Sequence, residues 1–207
     1  MPQPLSRVNP NASVMVGNAG IPVFHHNPSL GLLAMESIAT WSNVENFLLG
    51  LYLELLGGAS DRAAIAYLAI ETQSAKTQAI RAVAQSVLNE DHFELLAAIL
   101  KVAKTAQKSR DKLAHHIWGF SPNLPDALLL VDPRALARRL DPREFGDDVM
   151  VYRQPDFMSI IDINNRVCGW GLSLRFIVTG HPANHEGELY AQLCAEPEIR
   201  ERLDRQA

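Results

Sequence analysis

Residues 90–118 read EDHFELLAAILKVAKTAQKSRDKLAHHIW, and the periodicity of this stretch decides the fold class. With Lys101 at zero, Leu95, Ile99, Val102, Ala106, Leu113 and Ile117 fall between about 100° and 160°, the apolar stripe of an amphipathic helix. Lys101, Lys104, Lys108 and Lys112 fall between about 300° and 20°, on the opposite face. The pattern predicts a helix opened by Asn89 or Glu90, running to Trp118 and closed by Gly119. His115 lies at about 320°, inside the lysine row, and Asp111 at about 280°, one turn earlier and within side-chain reach of it. Arg110 lies at about 180°, at the edge of the apolar face, where a charge must be paired or face a cleft or a second chain. A carboxylate on a neighbouring helix, such as Glu45, is the expected kind of intrachain partner. Arg110 and His115 are about 140° apart on one ideal helix. A shared pocket therefore needs a distortion near Gly119, or a cleft made by two helices or two chains.

Outward from this helix, the same periodicity recurs. Ser29 caps a predicted helix to about Leu56, ended by Gly57-Gly58. Ser60 opens a second segment to about Leu88, with Thr72 or Ser74 as an interruption. A fourth long helix is expected from about Asp156 to Val178, and a helical tail from about Glu186 to Arg205, broken at Pro197. Short loops between helices imply antiparallel neighbours. Residues 119–153 differ: Pro122, Pro125, Pro133 and Pro142 punctuate two predicted strands, 127–131 and 149–152, with a helical turn at 134–140 between them. Residues 1–28 carry Pro2, Pro4, Pro10, Pro22 and Pro28, so they read as an arm rather than a helix. Val14-Met15-Val16 and Val23-Phe24 are its candidates for short extended pieces docked on the body. The expected architecture is all-α: an antiparallel helical bundle over 29–180 with a small two-stranded β insertion at about 120–153, an arm at 1–28 and a helical tail at 181–207.

The chain has 207 residues, 47% hydrophobic and 20% charged, with a net charge of −4. That composition is ordinary for a globular protein and argues against one that coats nucleic acid generally; a phosphate site must be a local basic patch. Cys168 and Cys194 lack metal-ligand spacing and suggest reduced thiols of a cytoplasmic protein. The first residues lack an apolar core of signal-peptide length. The apolar run 30–56 carries Glu36, Asn43, Glu45, Asn46 and Glu54, so no membrane span is expected. His25-His26, His181 and His185 with Glu186 and Glu188 lack a helical His-x3-His or a Cys partner set, so no metal is expected. No P-loop or Rossmann glycine pattern is present, and no cofactor is implied.

The chemistry concentrates at Arg110, Asp111 and His115. An imidazole moves protons near neutral pH, and an arginine presents a planar fork of donors to a phosphate. Together they are a minimal kit for cutting RNA without a metal. Asp111 is placed to fix the imidazole tautomer. Basic residues before a glycine at a helix C-terminus are also what dipole and capping rules produce. His116 reads as a substitute for His115, or more commonly as a surface or capping histidine. Trp118 reads as a base-stacking platform, or more commonly as a core or interface aromatic.

Arg110-Asp111-x-x-Ala114-His115, late in a long bundle helix, resembles the motif of the HEPN superfamily (higher eukaryote and prokaryote nucleotide-binding domains): an arginine, a polar residue, then a histidine after a gap of four to six. The longer string RDKLAHHIWG, then Leu124-Pro125-Asp126 and LLLVDP, is similar to bacterial members of that superfamily. The resemblance covers residues 29–180. It implies a metal-independent endoribonuclease, in many members a toxin with a cognate antitoxin or a defence effector, active as a homodimer whose two motifs meet. On it, His115 is the general acid or base, Arg110 stabilises phosphoryl charge, and Asp111 fills the polar position that is often Asn. Lys104, Lys108, Lys112 and His116 then bind RNA, with Glu45 and Trp118 in support. Other members are non-catalytic and bind nucleotides or partner proteins, which is the alternative.

Overall fold

The computed structural model describes residues 1–16, 20–58, 60–138 and 146–204. Its elements run β1 (Gln3–Pro4), α1 (Leu5–Val8), β2 (Met15–Val16), α2 (Gly20–His26), α3 (Pro28–Leu55), α4 (Asp61–Leu68), α5 (Gln73–Val87), α6 (Glu90–His115), β3 (Ile117–Phe120), β4 (Leu128–Val131), α7 (Pro133–Arg138), β5 (Val149–Tyr152), α8 (Gln154–Val178), α9 (Glu188–Ala195) and α10 (Pro197–Asp204). Helix dominates, as the periodicity implies. Among the described residues no helix is long and apolar enough to cross a membrane.

Local chemistry sets the helix ends. Asn27, not Ser29, caps α3: its Oδ1 accepts the Leu30 N–H at 3.2 Å, and Pro28 takes the first helical position, where no N–H is needed. Gly57 and Gly58, at φ 94° and 119°, end the helix in a conformation that side chains resist. Ser60 caps α4 and Thr72 caps α5, so the second segment is interrupted at Thr72. The tail breaks at Glu196, leaving Pro197 to open α10. Leu140 and Arg205, the expected ends of two segments, lie outside the described residues, as does Pro142.

The chain divides into two compact units, Met1–Trp41 with Ala106–Ile163, and Ser42–Thr105 with Asn164–Ala207. The first holds a five-stranded antiparallel sheet in the order β1-β5-β4-β3-β2. The two expected strands do pair, Leu128 opposite Tyr152 and Val131 opposite Val149. The expected two-stranded insertion is nevertheless too small, because three more strands join it. Two are two-residue pieces of the arm: β1 lies on β5 and β2 on β3. The third is β3, which occupies the predicted end of the third helix. α6 stops at His115, not Trp118, and Gly119 sits in a strand instead of closing a helix. A Cβ at Gly119 would lie 2.6 Å from Val16 Cγ1 and 2.7 Å from the Met15 carbonyl oxygen, so only glycine lets β2 approach this closely.

All of β4 is buried, and its side chains alternate between two cores. Leu128 and Leu130 pack with Val23, Leu113, Tyr152 and Phe157 on the helical side. Leu129 and Val131 pack with Leu5, Leu124, Val149 and Val151 on the other, where Val8, Ala12, Val14 and Val16 of the arm add cover. This explains the unbroken LLLV run: a strand covered on both faces has no polar alternation. Val23-Phe24, expected as extended, is helical in α2.

In the second unit, α6 is buried all round from Leu95 to Leu100. Gly171 of α8 faces Phe47 of α3 so closely that a Cβ would stand 2.0 Å from its Cζ. Arg166 of α8 holds Glu198 at 2.6 Å and Glu196 at 2.8 Å, tying α8 to the last two helices.

Candidate functional site

Asn89 opens α6 by accepting the His92 N–H at 2.8 Å, and Glu90 and Asp91 suit the positive end of the helix dipole. The helix then runs unbroken to His115, which leaves the ideal separation of Arg110 and His115 in place. Its last α-type bond is His116 N–H to the Lys112 carbonyl at 2.9 Å, after which the chain turns into β3.

Arg110 is part-buried, with 28% of its side chain exposed, and its Nη1 donates to Asp111 Oδ1 at 3.1 Å. Its Nε is buried and meets no acceptor among the described residues. Asp111 is thus spent on Arg110; no hydrogen bond joins it to His115 among the described residues. His115 is exposed, as are Lys108 and Lys112, while Lys101 and Lys104 are exposed on the part of α6 that belongs to the second unit. Glu45 is also in the second unit, half-buried, where its charge helps burial hold the Tyr67 hydroxyl up at about 12. Trp118 lies on β3 and packs on the helical-side core, edge-on to Phe24 with centroids 5.3 Å apart.

His116 is the residue whose surroundings the sequence hides. Partial burial pushes its pKa below the ordinary value; Asp132 opposes that shift, while Lys112, Arg134 and His115 add to it. Asp132 and Arg134, absent from the sequence candidates, form the best-made ion pair in this region. Arg134 donates Nη2 to Oδ2 at 2.7 Å and Nε to Oδ1 at 3.1 Å, and its backbone N–H reaches Oδ1 at 2.9 Å. Those bonds hold the Asp132 carboxyl well below the usual carboxylate range. One signal was available: Asp132-Pro133 is a cap followed by a first-turn proline.

The arrangement therefore splits the predicted residues. Arg110 with Asp111 lies on one side of the α6 end. His115, Lys108 and Lys112 are solvent-facing, and His116 lies within electrostatic reach of Asp132 and Arg134. Among the described residues, no group of three or more His, Cys, Asp or Glu side chains is placed to hold a metal ion. Comparison with protein-family models, with curated proteins and with solved structures finds no match to this chain.

Proposed function

We propose that the protein is a metal-independent RNA endonuclease of HEPN type that works as a homodimer, as a toxin or defence effector. The observation that carries the reading is Arg110. It is a part-buried guanidinium with an unpaired buried Nε, five residues before an exposed imidazole among exposed lysines. A buried donor without an acceptor calls for an explanation, and an anion that draws the side chain outward supplies one. His115 takes the proton of a ribose 2′-hydroxyl, or returns one to the leaving 5′-oxygen. The 2′-oxygen attacks phosphorus as the bond to the 5′-oxygen breaks, leaving a 2′,3′-cyclic phosphate and a 5′-hydroxyl. Arg110 stabilises the charge on the phosphoryl oxygens. Because α6 stays helical through His115, the two groups of one chain diverge, and a second protomer completes the pocket.

The test is cleavage of single-stranded and structured RNA in EDTA. His115→Ala and Arg110→Ala should each lose about 10²- to 10⁴-fold in rate while circular dichroism stays unchanged. Full activity in His115→Ala removes that residue from the mechanism. A second reading, a non-catalytic module that binds a nucleotide or a partner protein, draws on the Arg110–Asp111 ion pair, which satisfies part of the guanidinium without substrate. It is favoured if no RNA is cut and a nucleotide raises the melting temperature.

A further inference from the structure

We propose that His116 and Arg134, arranged around Asp132, form a single-chain binding site for an RNA phosphodiester. It rests on the RNA-directed reading above but uses different residues from the Arg110–His115 motif.

The geometry comes from sheet register. Ile117 pairs with Val131 and Trp118 with Leu130, antiparallel. His116 and Asp132 are the next residues beyond the Ile117–Val131 pair, at the same end of the two strands, and Asp132 acts electrostatically on His116. Asp132 in turn fixes Arg134 through the backbone N–H, Nε and Nη2. Nη1 makes no hydrogen bond to a described residue, and the Arg134 side chain is 79% exposed while that of Asp132 is 25% exposed. The arginine is thus oriented from behind by a sheltered carboxylate, with donors left over for a ligand.

Among the described residues, the charged or titratable groups acting on His116 are Lys112 and His115 from α6, Asp132 at the end of β4, and Arg134 from α7. One acid stands against two permanent cations and a second imidazole, so the site favours an anion. The planar guanidinium suits the paired oxygens of a phosphate. His116 is held toward its neutral form by burial. A neutral imidazole keeps an acceptor nitrogen, which fits a ribose 2′-hydroxyl and separates RNA from DNA.

The experiment is an NMR pH titration of the histidine imidazoles and arginine guanidinium groups of the full chain in EDTA. It is run alone and with a single-stranded RNA oligonucleotide, its DNA counterpart or inorganic phosphate. Three results are expected. RNA shifts the His116 and Arg134 resonances, DNA less so. Asp132→Asn lowers the His116 pKa, and Arg134→Gln raises it, because the two groups act with opposite sign. Arg134→Gln also weakens RNA binding about tenfold. The proposal is overturned if RNA leaves the His116 and Arg134 resonances of the unaltered protein in place, a readout that needs no variant to fold. It is equally overturned if neither substitution moves the His116 titration. RNA bound at these resonances but never cut leaves this site standing and removes the nuclease reading. Cutting that depends on Arg110 and His115, with His116 and Arg134 undisturbed by RNA, does the reverse.

Discussion

Gly119→Ala separates the strand from the helix end that the periodicity predicts. In the structure, the new Cβ meets Val16 Cγ1 at 2.6 Å and the Met15 carbonyl oxygen at 2.7 Å. Non-bonded heavy atoms rest at about 3.5–4.0 Å, so each overlap is close to 1 Å. Val16 can rotate away, but the Met15 oxygen is backbone. Two responses remain. Strain of this kind costs about 1–3 kcal/mol. Alternatively β2 lifts off, forfeiting the half-burial of Val16 and its short ladder to β3. Each backbone bond nets about 0.5–1.5 kcal/mol, so that route also ends near 1–3 kcal/mol. With a urea m-value of about 2 kcal/mol/M, a loss of about 2 kcal/mol moves the midpoint down by about 1 M. Amide exchange at Val14–Val16 should accelerate in parallel if the strand detaches. Gly119→Asn is the control. A left-handed helix-ending position tolerates asparagine; a strand position against another backbone tolerates it no better than alanine. The reasoning is refuted if Gly119→Ala keeps the midpoint and the exchange rates, or if asparagine restores what alanine loses.

Leu129→Ala removes the side chain that β4 buries against the arm; it should cost about 2–5 kcal/mol in urea unfolding and loosen the arm to proteolysis. Arg166→Ala frees Glu196 and Glu198 together; after allowance for the one-third exposure of these side chains the loss should be about 1–2 kcal/mol, shrinking in high salt. Arg166 lowers the Glu198 pKa, so this part of the stability is present above the ordinary glutamate value. It is lost as pH falls through the depressed value, and the gap between Arg166→Ala and the parent protein should close there. His116 has the opposite sign of charge. Its folded pKa lies below 6.5, so the unfolded chain takes the proton first and stability falls as pH drops from 6.5 toward the folded value. His116→Gln should flatten that slope, as read by unfolding midpoints across the window.

The long helices were legible because each buries a stripe over many turns, and their breaks because Gly57-Gly58, Thr72 and Pro197 act locally. Leu128–Val131 and Val149–Tyr152 were legible as β-rich runs between prolines. The rest of the sheet was not. β1 and β2 are two residues each and gain their strand character only from β5 and β3, far along the chain. β3 was masked by the helix before it: Ile117 falls at about 160° on the helical wheel, inside the apolar stripe, and four residues are too few to show a period of two. Val23-Phe24 failed in the other direction. A proline at 22 suggested extended chain, yet it lies within the first turn of α2, where its missing N–H has no cost. Of the site, the exposure of His115 and the edge position of Arg110 followed from angle alone. The tie between Arg110 and Asp111 did not, because neighbours on a helix do not normally face each other.

The helix-to-strand change at His116 has the larger consequence for function. A motif read along the chain treats His115 and His116 as near-equivalents, since a gap of four or five residues after Arg110 fits either. The fold makes them unlike. His115 is the last helical residue and faces solvent among lysines. His116 begins the run into β3, and the β3–β4 pairing brings it within electrostatic reach of Asp132, sixteen residues away. The surroundings that each imidazole meets are therefore decided by where the helix gives way to the strand, not by distance from Arg110. A one-residue slip of β3 against β4 would turn its side chains to the opposite face, so substitutions that disturb that pairing should alter the His116 titration without touching any charged residue.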